Sequence, residues 1–153
     1  MATVYSTQKT LLNNNPSEKT KTNEMAGRVR VAHGTYTAAS LASGDVIEMF
    51  NLPNGARIVG MKLGHAALGA GTTLSVGYAA HTDSSGAAVT AAAAAYKAAA
   101  ASTSAQVVDA AATLALGFGS ETDANQDGVP VTITMGGAAG TGDITLTCMY
   151  VID

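Results

Sequence analysis

Apolar and polar residues alternate along much of this chain from residue 28 onward, and a period of two is typical of β-strands. The first such segment, RVRVAHGTY at residues 28–36, places Val29, Val31 and His33 on one face and its arginines on the other. This pattern predicts a half-buried strand whose charged face points to solvent. The same alternation recurs in four later segments, at residues 72–78, 113–118, 129–135 and 143–152.

Residues 45–64 contain two more apolar runs, 45–52 and 56–63, separated by Pro-Asn-Gly. Proline fixes φ and Asn-Gly tolerates positive φ, so a hairpin is predicted. Its apolar residues fall on both faces, whereas one sheet buries only one face on its own core. The second face must contact the opposite sheet, a helix or another copy of the chain. Because few bulky residues remain elsewhere, we predict a homo-oligomer whose interface includes Ile47, Met49 and Ile58.

Seven short strands with glycine-rich connections indicate an all-β fold, an antiparallel sandwich or barrel, and alternation alone does not distinguish these two closures. The exception is the alanine-rich stretch at residues 86–108. Since alanine has the highest helix propensity, one helical insertion is predicted at about residues 87–102. A flexible low-complexity loop is the alternative.

Residues 1–25 show no sustained period, which is typical of an extended arm, and they precede a single β-domain at residues 26–153. Charged residues make up 12% of the chain against about 25% in ordinary domains, which favours a protein packed against neighbours. The N-terminal region is basic although the formal net charge is −3. We therefore predict an arm that binds an acidic surface, the alternative being a solvated tail. Its basic residues are Lys9, Lys19, Lys21, Arg28 and Arg30.

Candidate catalytic and metal-binding motifs are weak. DANQDG at residues 123–128 matches the first six positions of a calcium loop, but the twelfth position is Thr134 rather than glutamate, so a polar turn is favoured. The three histidines lack zinc-ligand spacing, and Cys148 falls on an apolar strand face. The sequence therefore predicts a protein that is not an enzyme and that uses no cofactor, metal, nucleic acid or membrane.

Three segments together resemble small virion proteins of tailed bacteriophages, of the capsid decoration or cement kind. The features that carry the resemblance are a Gly-Asp strand start, a Leu-Pro-Asn-Gly turn, and a Gly-Gly-Ala-Ala loop between two threonine-rich strands. The segments are residues 27–86, the alanine-rich residues 94–105, and residues 129–150.

The resemblance implies a jelly-roll-like fold, a homotrimer, and a place on the outer surface of the capsid after synthesis in the host cytoplasm. The implied partners are the major capsid protein and further copies of the chain, and the implied role is to bridge capsid subunits and stabilise the shell. It implies no catalytic residues. Two alternatives stay open: a neck, tail or fibre subunit, and a carbohydrate-binding module, for which a chain with no Trp and five Tyr offers few aromatic residues.

Overall fold

The computed structural model describes residues 4–152 as two packed β-sheets preceded by an arm with one short helix, α1. Eight strands form the two sheets, and a two-residue pair, β5 and β6, forms a separate ribbon. The helix and strands are α1 Thr7–Asn13, β1 Arg28–Leu41, β2 Val46–Leu52, β3 Arg57–His65, β4 Thr72–Tyr78, β5 His81–Thr82, β6 Ala88–Val89, β7 Ala92–Ala101, β8 Gln106–Ala110, β9 Val129–Gly137 and β10 Gly140–Ile152.

The first sheet has the strand order β1-β10-β3-β8, and the second has the order β2-β9-β4-β7. All pairs within them are antiparallel, and most successive strands alternate between the two sheets. Two four-stranded sheets connected in this way form a jelly-roll-like sandwich. The predicted all-β sandwich is confirmed, and the barrel alternative does not occur.

Residues 45–64 do not form the predicted hairpin, since β2 lies in the second sheet and β3 in the first. Each strand also carries a β-bulge that adds one unpaired residue, Met49 in β2 and Val59 in β3. A bulge reverses the inward and outward sense of alternation. Ile47 and Leu52 therefore both point into the core of one chain, as do Ile58 and Met61. The apparent second apolar face is the same inward face on either side of a bulge.

The alanine-rich stretch is a strand, β7, and the helix predicted at residues 87–102 is wrong. Residues 92–101 pair with β4 at the edge of the second sheet, and Tyr96 is buried in the core. Pairing and burial of the tyrosine outweigh the intrinsic helix preference of alanine, which is a weak local bias. The strand predicted at residues 113–118 is also wrong, because Leu114–Leu116 is a 3-10 turn capped by Thr113.

Strand β1 forms where alternation predicts it, but the opposite face is buried. Val29 and Val31 are 60% and 61% exposed, whereas Ala32 packs against the core and Ala38 lies within it. A Cβ added at Gly34 would lie 2.8 Å from the carbonyl oxygen of Met49, so β1 approaches β2 too closely for large side chains. The small residues of β1 therefore face inward, and its valines are left outside.

Candidate interaction surface

The outer face of the first sheet carries an exposed apolar strip formed by Val29, Val31, Met149 and Phe118. Val31 is the cross-strand partner of Met149, so their side chains share this face. The Met149 side chain crosses to β3, where its Cε lies 3.0 Å from the position of a Cβ added at Gly60. Met149 and Phe118 line the same depression of about 300 Å³, and they are 39% and 46% exposed.

Polar pairs border this apolar strip along the same sheet face. The His33 ring Nδ1 lies 2.8 Å from the hydroxyl of Thr147, and the Thr37 hydroxyl donates to Asp143 at 2.7 Å. Lys62 and Asp109 form an exposed ion pair across β3 and β8. An apolar strip with a polar border is typical of a surface that contacts another protein.

Four charged side chains fasten the N-terminal arm to the body, and we call this cluster the arm latch. Lys21 Nζ lies 3.0 Å from Glu121, and the Arg57 guanidinium lies 3.2 Å from Glu121 and 3.3 Å from Glu24. Arg57 also donates to the carbonyl of Gly119 at 2.6 Å. The arm latch therefore joins residues 21–24 of the arm to β3 and to the segment that follows the 3-10 turn.

Apolar packing contributes little to holding the arm. Helix α1 has no buried residue, and the arm side chains Val4, Tyr5 and Leu12 are 90%, 59% and 42% exposed. A crevice of about 610 Å³ separates part of the arm from the body, with Val59 and Val151 on its floor. Isolated seven-residue helices are unstable in water, so the attachment of the arm depends on the arm latch and on the few contacts beside it.

We expect acid to weaken the arm latch. The hydrogen bond from Lys21 holds the pKa of the Glu121 carboxyl below its ordinary value of 4.5, with Asn23 and the charge of Arg57 adding to the effect and partial burial opposing it. A depressed pKa in the folded state means that the carboxylate stabilises the attached arm fully above pH 4.5. This stabilisation is lost as the pH falls through the lowered value. The NMR signals of residues 20–26 should then move toward random-coil positions as the pH is lowered progressively below 4.5.

Substituting Glu121→Gln should produce the same release at pH 7. The pairs are partly exposed, so the expected loss is about 1 kcal/mol, or about fivefold faster tryptic cleavage after Lys19 and Lys21. Asp109→Asn is the matched control, because it removes the acidic partner of an exposed pair away from the arm. Equal cleavage rates for Glu121→Gln and the unmodified protein would show that the arm latch does not hold the arm.

The five predicted arm residues lie in two places. Lys9, Lys19 and Lys21 are on the arm, whereas Arg28 and Arg30 are exposed at the start of strand β1. Lys21 belongs to the arm latch, and the other four form no ion pair within residues 4–152. Four cations are therefore available to an acidic partner surface.

Two of the three predicted oligomer-interface residues are buried in the core of one chain. Ile58 is 0% exposed, Ile47 is 7% exposed, and Met49 packs against the same core. Ile47 and Ile58 are therefore closed to another copy, whereas Met49 is only partly buried. The apolar strip, which the sequence interpretation assigned in part to the core, is instead exposed. Its signal in the sequence was Gly34, because a glycine in mid-strand marks the face that must approach another backbone.

Three of the residues that the sequence offered as candidates for catalysis or metal binding are buried or take part in turns of the fold. Burial raises the pKa of the Cys148 thiol to about 12, which makes the reactive thiolate inaccessible. Asn125 and Asp127 bond to each other in the turn before β9, where the Asp127 N–H donates to Asn125 at 2.9 Å. Within residues 4–152 no three metal-ligating side chains cluster, and no helix there is long and apolar enough to cross a membrane.

Comparison with known proteins finds no matching family model and no matching curated protein. Solved structures do match. The chain is 27% identical to a chain in the capsid of Ralstonia phage GP4, with a TM-score of 0.61 over 83% of this chain and 86% of that one. It is 23% identical to a chain in the capsid asymmetric unit of cyanophage Pam1, with a TM-score of 0.56 and the same coverage. This β-sandwich is therefore similar in fold to chains of two phage capsids.

Proposed function

We propose that this protein is a structural component of a phage virion, and that it acts as a capsid decoration or cement protein. The observation that carries the proposal is the likeness to a phage-capsid chain at 27% identity over 83% of this chain. The exposed apolar strip and the basic arm support it, because a protein that coats a lattice needs a surface for that lattice.

In this proposal the outer face of the first sheet binds the outside of the head. Val29, Val31 and Met149 lose water on contact. This contributes about 25 cal/mol of favourable binding free energy per Å² of apolar surface removed from water. The arm adds Lys9 and Lys19, and Arg28 and Arg30 project from the other side of the edge strand β1. In this proposal these four cations meet acidic groups of the major capsid protein around the edge of the contact. An arm held mainly by the arm latch can extend over a neighbouring capsid subunit, and this reach would bridge two subunits.

Binding stabilises the shell by mass action. A protein that binds the mature lattice more tightly than any other state shifts the shell toward maturity by its differential affinity. We further propose that it binds as a homotrimer, so that three copies engage the lattice together and avidity increases. The low content of charged residues, 12%, suits a protein surrounded by neighbours.

The copy number of the chain in purified virions tests this proposal. Quantitative mass spectrometry against the major capsid protein should find a simple ratio to the capsid subunit, corresponding to hundreds of copies per particle for a shell component. A few to a few dozen copies would place the chain in the neck, tail or fibre instead. Its absence from washed particles would contradict any virion role.

A further inference from the structure

A cavity of about 370 Å³ is lined by residues other than the four of the apolar strip. Three aromatic side chains from β4, β5 and β7 form one part of its wall: Tyr78, His81 and Tyr96. The segment at residues 114–123 forms another part and contributes Ser120 and Asp123. Its volume lies in the range of about 300–1,000 Å³ that is usual for small-molecule sites.

The aromatic side chains pack edge to face. The ring centroids of Tyr78 and His81 are 5.4 Å apart with an interplanar angle of 81°, and those of Tyr78 and Tyr96 are 6.0 Å apart at 61°. Tyr78 therefore packs against both of the other rings, which makes the three rings one continuous part of the wall. An aromatic wall gives a ligand with C–H groups on one face a surface to stack on.

Tyr96 has a polar group without a protein partner. The side chain is 6% exposed, and no hydrogen bond described within residues 4–152 involves its hydroxyl. Three side-chain atoms of the described residues lack a partner and are also closed to solvent: Asn23 Oδ1, Arg57 Nε and Thr134 Oγ1. The Tyr96 oxygen is not one of them, so solvent reaches it. Burial raises the pKa of this hydroxyl, with the Cys148 and Tyr78 side chains adding to the rise, and the group therefore stays protonated. A buried tyrosine hydroxyl ordinarily finds a partner.

The rest of the lining adds acceptors, among them two carboxylates, Glu121 and Asp123. The Glu121 carboxylate is already paired with Lys21 and Arg57 in the arm latch. The Asp123 carboxylate accepts one backbone N–H, from Ser84 at 3.0 Å, through a single oxygen. The Ser120 hydroxyl donates to the carbonyl of Gly117 at 2.7 Å and retains acceptor capacity. No Lys or Arg lines the cavity. These groups suit a neutral ligand with several hydroxyls and disfavour an acidic one.

We propose that this cavity binds a neutral hydroxylated ring, the terminal sugar of a glycan. In this arrangement the C–H face of a pyranose ring stacks against Tyr78, one sugar hydroxyl accepts from Tyr96, and others donate to Asp123 and Ser120. The site uses none of the four residues of the apolar strip, although it shares Glu121 with the arm latch. A virion that carries many copies would therefore present many weak sugar sites. Simultaneous binding at several of them would hold a glycan-bearing surface more tightly than one site does.

Titration of the full chain with methyl α-D-glucopyranoside and methyl β-D-galactopyranoside tests the site, followed by ¹H–¹⁵N NMR. At least one sugar should shift the amide signals of Gly117, Ser120 and Asp123 in a saturable way, with a dissociation constant of about 1 mM. Tyr96→Phe keeps the ring and removes the hydroxyl, and should weaken binding about fivefold. Tyr36→Phe, on exposed β1, is the matched control and should bind as the unmodified chain does.

Three results would overturn the assignment. One is the absence of saturable shifts with both sugars, and another is unchanged binding by Tyr96→Phe. The third is a response of the same amides to n-butylammonium with no response to either sugar, which would make the cavity a receptor for a cationic side chain. None of these results depends on the copy number in virions, so the sugar site and the proposed shell role fail separately.

Discussion

The double variant Val31→Asp, Met149→Asp is expected to lose at least about 100-fold in affinity for phage shells that lack the protein, while it folds normally. The two side chains are cross-strand partners on the outer face and are 61% and 39% exposed. A carboxylate at either place stays solvated in the free protein, so the fold is little affected. In a bound interface both charges would lose water without a partner, which costs about 3 kcal/mol or more.

Cosedimentation with shells measures the affinity, and thermal unfolding of the free variant checks the fold. Val46→Asp is the matched control, since Val46 is 58% exposed on β2, the edge strand of the second sheet. It introduces the same charge at a similar exposure on the other face of the molecule, and should bind as the unmodified protein does. Equal loss in the control and the double variant would show that binding does not use the apolar strip.

Alternation in the sequence predicts that strands exist more reliably than it predicts which of their faces is buried. β1 shows this, because Val29 and Val31 look like core residues until the close approach of Gly34 to the backbone of Met49 is known. That approach is a contact between strands of different sheets, and no local pattern encodes it. The charge of the arm could be predicted from the sequence, because counting charges does not require knowledge of strand pairing. The role of Lys21 in the arm latch could not, because its partner Glu121 lies 100 positions away.

The alanine-rich segment shows the limit of helix propensity as a predictor of secondary structure. Most side chains of residues 92–101 are small, so either a helix or a strand could satisfy the backbone hydrogen bonds. Pairing with β4 decides the outcome. Two register shifts along that pair bend the edge strand, which is one way in which β-proteins limit pairing with other chains. The cavity lined by Tyr78, Tyr96 and Asp123 likewise depends on the sheet order, because its residues come from separate parts of the chain.

Substituting Ile58→Ala should lower the free energy of unfolding by about 2–5 kcal/mol, whereas Val59→Ala should lower it by less than about 1 kcal/mol. Ile58 is 0% exposed in the shared core, and Val59 is the extra residue of the bulge, placed on the outer face beneath the arm. For a chain of this length the first loss corresponds to a fall of roughly 10 °C in Tm. Both losses can be measured by urea unfolding.

This pair of neighbouring residues decides between the two explanations of the apolar residues on both faces of residues 45–64. If the bulge at Val59 turns both Ile58 and Met61 inward, the large loss of stability falls on Ile58 and the native mass of the protein does not change. If Ile58 instead contacted another copy, Ile58→Ala would lower the native mass at fixed concentration and leave the unfolding of the single chain nearly unaltered. The two bulges account for the burial of Ile47, Leu52, Ile58 and Met61 within one chain, so we expect the first result.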